Sequence, residues 1–278
     1  MDAELRPLET VHGPGVANVT HFGDTLDALI ADWRDAHGDL PVWICGAVGG
    51  NTSWMTVPYV SVPATAQALR AGARSPAPGV RILPGAATPA NLWGRGDVMR
   101  GEETQALGAM ALLGRESARL CLPGTHPAWV EVVGGAVANL TMSLTGDLLA
   151  ALRARGVLSG EDASDERSTA FASGVREGAD HPHLLSALFG VRAAHALGDM
   201  PADDTASRLA GVLVGADCAR VCEAWGGPPD AVVGSGGAVT AYHGALGVLG
   251  HEVALIDGND AVLAGLARIV GTPHGLPD

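Results

Sequence analysis

The amino-acid sequence predicts an α/β protein. Short apolar strands alternate with alanine-rich helical stretches, and glycine pairs or Pro-Gly steps stop the strands. With 47% hydrophobic residues in 278, the chain can bury a substantial core, as one large domain or two small ones.

Taken in order, Asp24 to Trp33 repeats apolar residues at helical spacing. Pro41-Val42-Trp43-Ile44-Cys45 reads as a buried strand ending in glycines, and Val80-Arg81-Ile82-Leu83 as a second, stopped by Pro84-Gly85. Gly101 to Leu113 reads as a helix with Glu102 and Glu103 in its first turn, where the macrodipole favours carboxylates. A new block opens near Ser117. Arg119 to Leu122 is a strand, Pro123-Gly124-Thr125-His126 a tight turn, Trp129 to Val133 the returning strand and Val137 to Met142 a third. A helix follows from about Asp147, and residues 156–203 should hold helices and loops. Then come a long helix over 204–225, strand 231–233, helix 238–249, strand 252–256 and helix 260–270. Three turn-linked strands followed by alternating helices and strands are similar to one lobe of the actin- and hexokinase-like ATPase (ribonuclease H-like) fold. Residues 117–278 would then be the C-terminal lobe. Residues 1–116 would be an incomplete N-terminal lobe, with one strand region around Glu9 to Val19 where three are expected.

The net charge of −13, without a Lys/Arg cluster, argues against nucleic acid and against an anionic membrane surface. It leaves room for a small anionic substrate, which a few placed arginines and helix N-termini can hold. Cys45, Cys121, Cys218 and Cys222 lack metal-ligand spacing and read as reduced core thiols. Met1 to Pro7 has no apolar run for a signal peptide, and no apolar stretch reaches the roughly 18 residues that span a bilayer. The expectation is a soluble, cytoplasmic protein; a homodimer is allowed.

Three segments carry candidate chemistry. In Pro123-Gly124-Thr125-His126, a glycine and a small hydroxyl residue let backbone N–H groups approach a phosphate; the alternative is a plain hairpin turn. Asp97 to Gln105 offers three carboxylates, a guanidinium and a glycine at a helix start. These could supply a general base for a hydroxyl, orient a divalent cation and grip a carboxylate through Arg100, or simply cap a surface helix. Gly234-Ser235-Gly236-Gly237 turns a strand into a helix, placing backbone amides at a helix N-terminus suited to a nucleotide. That turn also imitates a dinucleotide fingerprint with Asp257 about 20 residues on, but Val239 stands where Gly or Ala is needed. A nucleophilic Ser235 is disfavoured because Val233 takes the first glycine position of the elbow. His181 and His183 lack a partner ligand pair and read as exposed.

Together these segments resemble the 2-dehydro-3-deoxygalactonokinase (2-keto-3-deoxygalactonate kinase) family, from about residue 24 to the end. The specific stretches are Cys45 to Trp54, Ile82 to Gly85, Asp97 to Gln105, Leu122 to His126 with Trp129-Val130, and Thr141 to Leu148. The resemblance implies a sugar-acid kinase that transfers the γ-phosphoryl group of ATP, with Mg²⁺, to the C6 hydroxyl of 2-dehydro-3-deoxy-D-galactonate in galactonate breakdown. In that frame Gly124, Thr125 and His126 form the second phosphate loop, and Gly234, Ser235, Gly236 and Gly237 the adenosine-side turn. Asp97 to Gln105 would line the cleft between lobes, with Asp97 or Glu102 as the base and Arg100 on an anionic group. Asn51, Ser53, Trp54 and Glu103 would contact the sugar acid.

Two departures stand against the pattern. Nothing before Asp24 matches the family's opening Asp-x-Gly-Ser/Thr loop, so the chain is expected to begin too late for its first phosphate loop, with turnover at risk. Pro127-Ala128 also stands where the family usually has a Lys before the Trp. The alternatives are a non-catalytic relative that binds sugar acid or nucleotide, and a nicotinamide-dependent oxidoreductase using the turn at Gly234.

Overall fold

The computed structural model describes residues 7–154, 165 and 167–271. Its elements in chain order open with α1 (Phe22–Leu29), α2 (Ala31–His37), β1 (Val42–Ile44), β2 (Val60–Ser61) and α3 (Ala66–Gly72). Next come β3 (Arg74–Ala77), β4 (Val80–Ile82), β5 (Ala86–Thr88), β6 (Asp97–Met99) and α4 (Glu102–Leu113). Then follow β7 (Ala118–Leu122), β8 (Ala128–Val133), β9 (Ala136–Met142), α5 (Thr145–Ala154), α6 (Thr169–Asp180) and α7 (Leu184–Ala196). The last five are α8 (Ala202–Trp225), β10 (Ala231–Gly234), α9 (Gly237–Val248), β11 (Ala254–Asp257) and α10 (Gly258–Val270). The α/β expectation holds, and the strands form three sheets, ordered β1-β4-β3, β2-β5-β6 and β11-β10-β7-β8-β9.

Two compact units are present. The first comprises the described parts of Met1–Ser117, Glu131–Leu140 and Asn259–Asp278; the second comprises those of Ala118–Val130 and Thr141–Gly258. In the first, β4 pairs parallel with β1, and β5 pairs parallel with β2 and antiparallel with β6. Helices α4 and α10 cross at glycines. A Cβ at Gly108 would stand 1.8 Å from the Ala261 carbonyl oxygen, and one at Gly265 1.9 Å from that of Thr104.

In the second unit, Trp129 on β8 is fully buried, its ring 5.7 Å from that of Trp225 and 5.9 Å from that of Tyr242. Helices α6 and α8 approach through a four-glycine seam. Cβ atoms at Gly174, Gly178, Gly211 and Gly215 would lie 2.0–2.3 Å from carbonyl oxygens of the facing helix. Alanine improves helix propensity by about 1 kcal/mol over glycine, whereas overpacking costs about 1–3 kcal/mol and no flexible side chain can yield here. Gly178→Ala is therefore expected to lower the thermal midpoint, at roughly 2–4 °C per kcal/mol lost, in a melt of the purified protein. A higher midpoint would show that the seam is not close-packed.

Several expectations need correction. Glu9 to Val19 forms no strand. It is exposed, interrupted by Gly13-Pro14-Gly15, and carries only a short 3₁₀ turn at Val16–Asn18. The predicted helix over 24–33 is two helices broken at Ile30, the residue there that reaches the core. Strand β1 is half-buried rather than buried. Of residues 156–203, only 165 and those from 167 onward lie within the described set, and these form helices and loops as expected.

Candidate active site

Two clusters contain the residues singled out in the sequence, one in each unit. In the first unit the chain leaves β1 into a glycine-rich loop, and leaves β6 directly into α4. Glycines press the two segments together. A Cβ at Gly101 would stand 3.1 Å from Gly46 Cα, and one at Gly49 would stand 2.8 Å from Arg100 Nη1. Gly46 and Gly101 have φ of 90° and 109°, which other residues rarely adopt.

The first turn of α4 uses two carboxylates on its own backbone. Glu102 Oε2 accepts from the Arg100 N–H at 2.9 Å, and both oxygens of Glu103 accept from the Gly101 N–H, at 3.0 and 2.8 Å. These bonds satisfy donors that a helix start otherwise leaves open. Glu103 is fully buried, so desolvation, and then the charge of Glu102, push its carboxyl up to about 8. Burial, followed by the proximity of Glu103, pushes the Cys45 thiol up to about 12. All four cysteines are free. The stability consequence has a definite sign. Between an unfolded carboxyl near 4.5 and a folded one near 8, the native state holds a proton that the unfolded chain releases. Stability from this group therefore falls as pH rises through that window, and Glu103→Gln is expected to flatten the fall. Urea denaturation at about pH 5, 6, 7 and 8 measures it; an unchanged slope would contradict the assignment.

Arg100 stands apart within the cluster. Its guanidinium lies 4.3 Å from the Tyr59 ring centroid, and Nη2 donates to the Val57 carbonyl at 2.8 Å. Nε and Nη1 are buried with no hydrogen-bond partner. Asp97, on β6 and half-buried, accepts from Asn91 Nδ2 at 3.0 Å. Asn91 Oδ1 in turn accepts from the N–H groups of Trp93 and Arg95, at 2.9 and 3.1 Å, which folds the β5–β6 turn around it.

The remaining predicted residues of this unit have mixed placements. Ser53 Oγ donates to the Ala47 carbonyl at 2.8 Å, closing the loop. Asn51 is exposed. The Trp54 ring stacks on Phe22, with centroids 6.3 Å apart and planes at 10°, so α1 occupies one of its faces.

In the second unit, β10 pairs parallel with β7, which sets the turns after both strands side by side at their carboxyl ends, where α/β sheets bind ligands. Gly124-Thr125-His126 follows β7 and Gly234 to Gly237 follows β10; a Cβ at Gly234 would lie 3.8 Å from the Pro123 carbonyl oxygen. Thr125, His126, Ser235, Gly236 and Gly237 are exposed. Gly236 has φ of 83° and begins the twelve-residue α9, whose first amides face outward. His126 Nε2 and Asp147 Oδ2 are 2.6 Å apart. Val239 Cγ2 fills the space beside Gly234, 2.8 Å from where a Cβ would be, which bears on the dinucleotide reading: the branched side chain occupies the close-approach position.

The family described as 2-keto-3-deoxy-galactonokinase matches residues 3–269. This chain belongs to that family. The match begins at residue 3, ahead of the start near Asp24 that the motifs suggested, and ends at residue 269. A curated relative from Rhizobium meliloti (strain 1021), "Probable 2-dehydro-3-deoxygalactonokinase DgoK1", is 37% identical over 276 residues, covering 95% of this chain and 89% of its own. The 2-dehydro-3-deoxygalactonokinase of Escherichia coli (strain K12) is 32% identical over 246 residues, covering 88% and 82%. A crystal structure of a Sinorhizobium meliloti protein carrying the same kinase name superposes with a TM-score of 0.79 at 32% identity, covering 92% of this chain and 86% of that one.

For a 2-keto-3-deoxy-galactonokinase family member, the sequence motifs miss Tyr59 and Asn91. Asn91 had a signal, an Asn four residues before Arg95 in a glycine-rich turn. Tyr59, one of only two tyrosines, had none. No described helix is long and apolar enough to cross a membrane.

Proposed function

We propose that this chain is a sugar-acid kinase that transfers the γ-phosphoryl group of ATP to the C6 hydroxyl of 2-dehydro-3-deoxy-D-galactonate. The observation that carries the acceptor side is Arg100, a guanidinium whose buried Nε and Nη1 lack hydrogen-bond partners. Leaving such donors unpaired is costly, and a guanidinium N–H donates strongly to a carboxylate such as the one this acceptor carries. Asn51, Ser53, Trp54 and Glu103 belong to the same loop-and-helix cluster and complete the proposed sugar-acid side.

Asp97 is the proposed base. Glu102 caps the start of α4 through the Arg100 N–H, whereas Asp97 is half-buried on a strand end, with Oδ2 oriented by Asn91 and Oδ1 accepting from the Val98 N–H. Asp97 takes the proton as the sugar oxygen bonds to the γ-phosphorus; the bond from phosphorus to the bridging oxygen breaks, and ADP leaves with that electron pair.

Gly124, Thr125 and His126 are the proposed phosphate turn, and Gly234 to Gly237 the adenosine-side turn, supported by their adjacency and by the exposed start of α9. Among the described residues no group of three His, Cys, Asp or Glu side chains could hold a metal ion. Mg²⁺ arriving with the nucleotide would need only one or two protein carboxylates besides phosphate oxygens. The exposed carboxylate of Asp147, next to Thr125, would face it, and the ion would neutralise charge on the transferring group.

We further read the chain as two lobes of the actin/hexokinase-like ATPase type, 1–116 and 117–278, apart from residues 131–140 and 259–278, which group with the first unit. The sheet order β11-β10-β7-β8-β9, with three consecutive strands followed by parallel additions, supports this. Thermal-shift measurements with ATP–Mg²⁺, galactonate-derived acids and NAD test the reading. ATP–Mg²⁺ and the sugar acid should each raise the midpoint, and stabilisation by NAD alone would overturn it.

A further inference from the structure

One carboxylate of the second unit joins neither proposed turn. Asp217 lies midway along α8 and accepts hydrogen bonds from three hydroxyls: Ser143 Oγ at 2.7 Å, Thr145 Oγ1 at 3.1 Å and Tyr242 OH at 2.5 Å. The Trp129 indole N–H lies nearby, outside hydrogen-bonding geometry. Part of the residue reaches solvent, yet the carboxylate is packed closely enough that burial pushes the carboxyl above its usual range, and the three hydroxyls pull it back.

These donors come from two places that matter to the proposed nucleotide site. Ser143 and Thr145 belong to the connection from β9 into α5, which lies directly under the phosphate turn. The Ser143 N–H donates to the Pro127 carbonyl at 2.9 Å, and the Asp147 N–H donates to the Thr125 carbonyl at 3.1 Å. A Cβ at Gly146 would stand 2.6 and 2.5 Å from the carbonyl oxygens of Gly124 and Thr125, so backbone meets backbone there. Asp147 then reaches His126. Tyr242, the third donor, sits on α9, the helix that the adenosine-side turn begins.

We infer that Asp217 is a positioning residue for the nucleotide: it pins the Ser143–Asp147 segment beneath one turn to the helix behind the other, and so fixes the spacing of the two turns. The inference rests on the reading that these turns bind ATP. A side chain that merely filled the core would bind no particular ligand through its loss; a positioning residue changes one substrate's affinity selectively.

The test uses Asp217→Asn, whose amide can accept through only one oxygen and leaves hydroxyls without an acceptor. Direct titration of ATP–Mg²⁺ into the unaltered protein comes first; no binding there would remove the nucleotide reading itself, and this inference with it. Given binding, Asp217→Asn is expected to raise KM for ATP about tenfold, on the scale of a hydrogen-bonded network lost, while KM for the sugar acid stays within about twofold. Thr145→Val and Tyr242→Phe, each removing one donor at nearly constant volume, are expected to raise KM for ATP by smaller factors in the same direction. They carry the test should Asp217→Asn fail to fold. An ATP KM unchanged in the folded variants, or rising together with that for the sugar acid, would overturn the assignment.

Discussion

Asparagine in place of Asp97 is expected to lower kcat by about 10²–10⁴-fold, the range that a positioned general base contributes, with little change in either KM. An asparagine oxygen can still accept from Asn91 Nδ2, at the cost of the bond from the Val98 N–H, so a thermal melt of the variant separates that local cost from the chemical loss. The matching Glu102→Gln variant is expected to cost far less, because Glu102 accepts from the Arg100 N–H and a glutamine oxygen can still do so. Steady-state kinetics on both variants decide between the two carboxylates that the sequence left as alternatives. Unchanged turnover for Asp97→Asn would remove it from the mechanism.

The second large effect is expected at Arg100. A charged hydrogen bond to a substrate carboxylate, at about 1.5–3 kcal/mol, sets the scale. Arg100→Lys should therefore lower kcat/KM for the sugar acid by about 10–10²-fold, since an ammonium cannot place a donor where the planar guanidinium does. The ATP KM should stay nearly constant. Lysine retains a charge, which makes it a better probe than alanine, whose cavity beside Gly49 and the Tyr59 ring would add a folding cost. Equal loss against both substrates would point instead to a collapsed loop.

Much of the second unit was legible in the sequence. Strands β7, β8 and β9 are five to seven residues long, and α8 and α9 run for 24 and 12 residues, so length and the bounding turn residues sufficed. The first unit was harder. Strands β2, β3, β5 and β6 span two to four residues, and β3 reads Arg74-Ser75-Pro76-Ala77, too short and too polar for periodicity to register. The candidate site divides in the same way. Motifs named Arg100 and the carboxylates, but which carboxylates cap the helix and which one bonds the β5–β6 turn depends on side-chain direction at a tight turn. Tyr59 and Asp217 matter through contacts 41 and 74 residues away in sequence, with Arg100 and Ser143, which no local pattern encodes. The glycine seam of α6 and α8 does carry a local signal, glycines four apart in each helix. Its meaning emerges only when the two helices face each other.

Incubating the protein with ATP, Mg²⁺ and 2-dehydro-3-deoxy-D-galactonate, and following products by phosphorus NMR and mass spectrometry, tests the central claim most directly. The account predicts ADP in step with a sugar acid heavier by one phosphoryl group, esterified at C6. ATP and the sugar acid both bound without that product, or phosphoryl transfer to water alone, would contradict it.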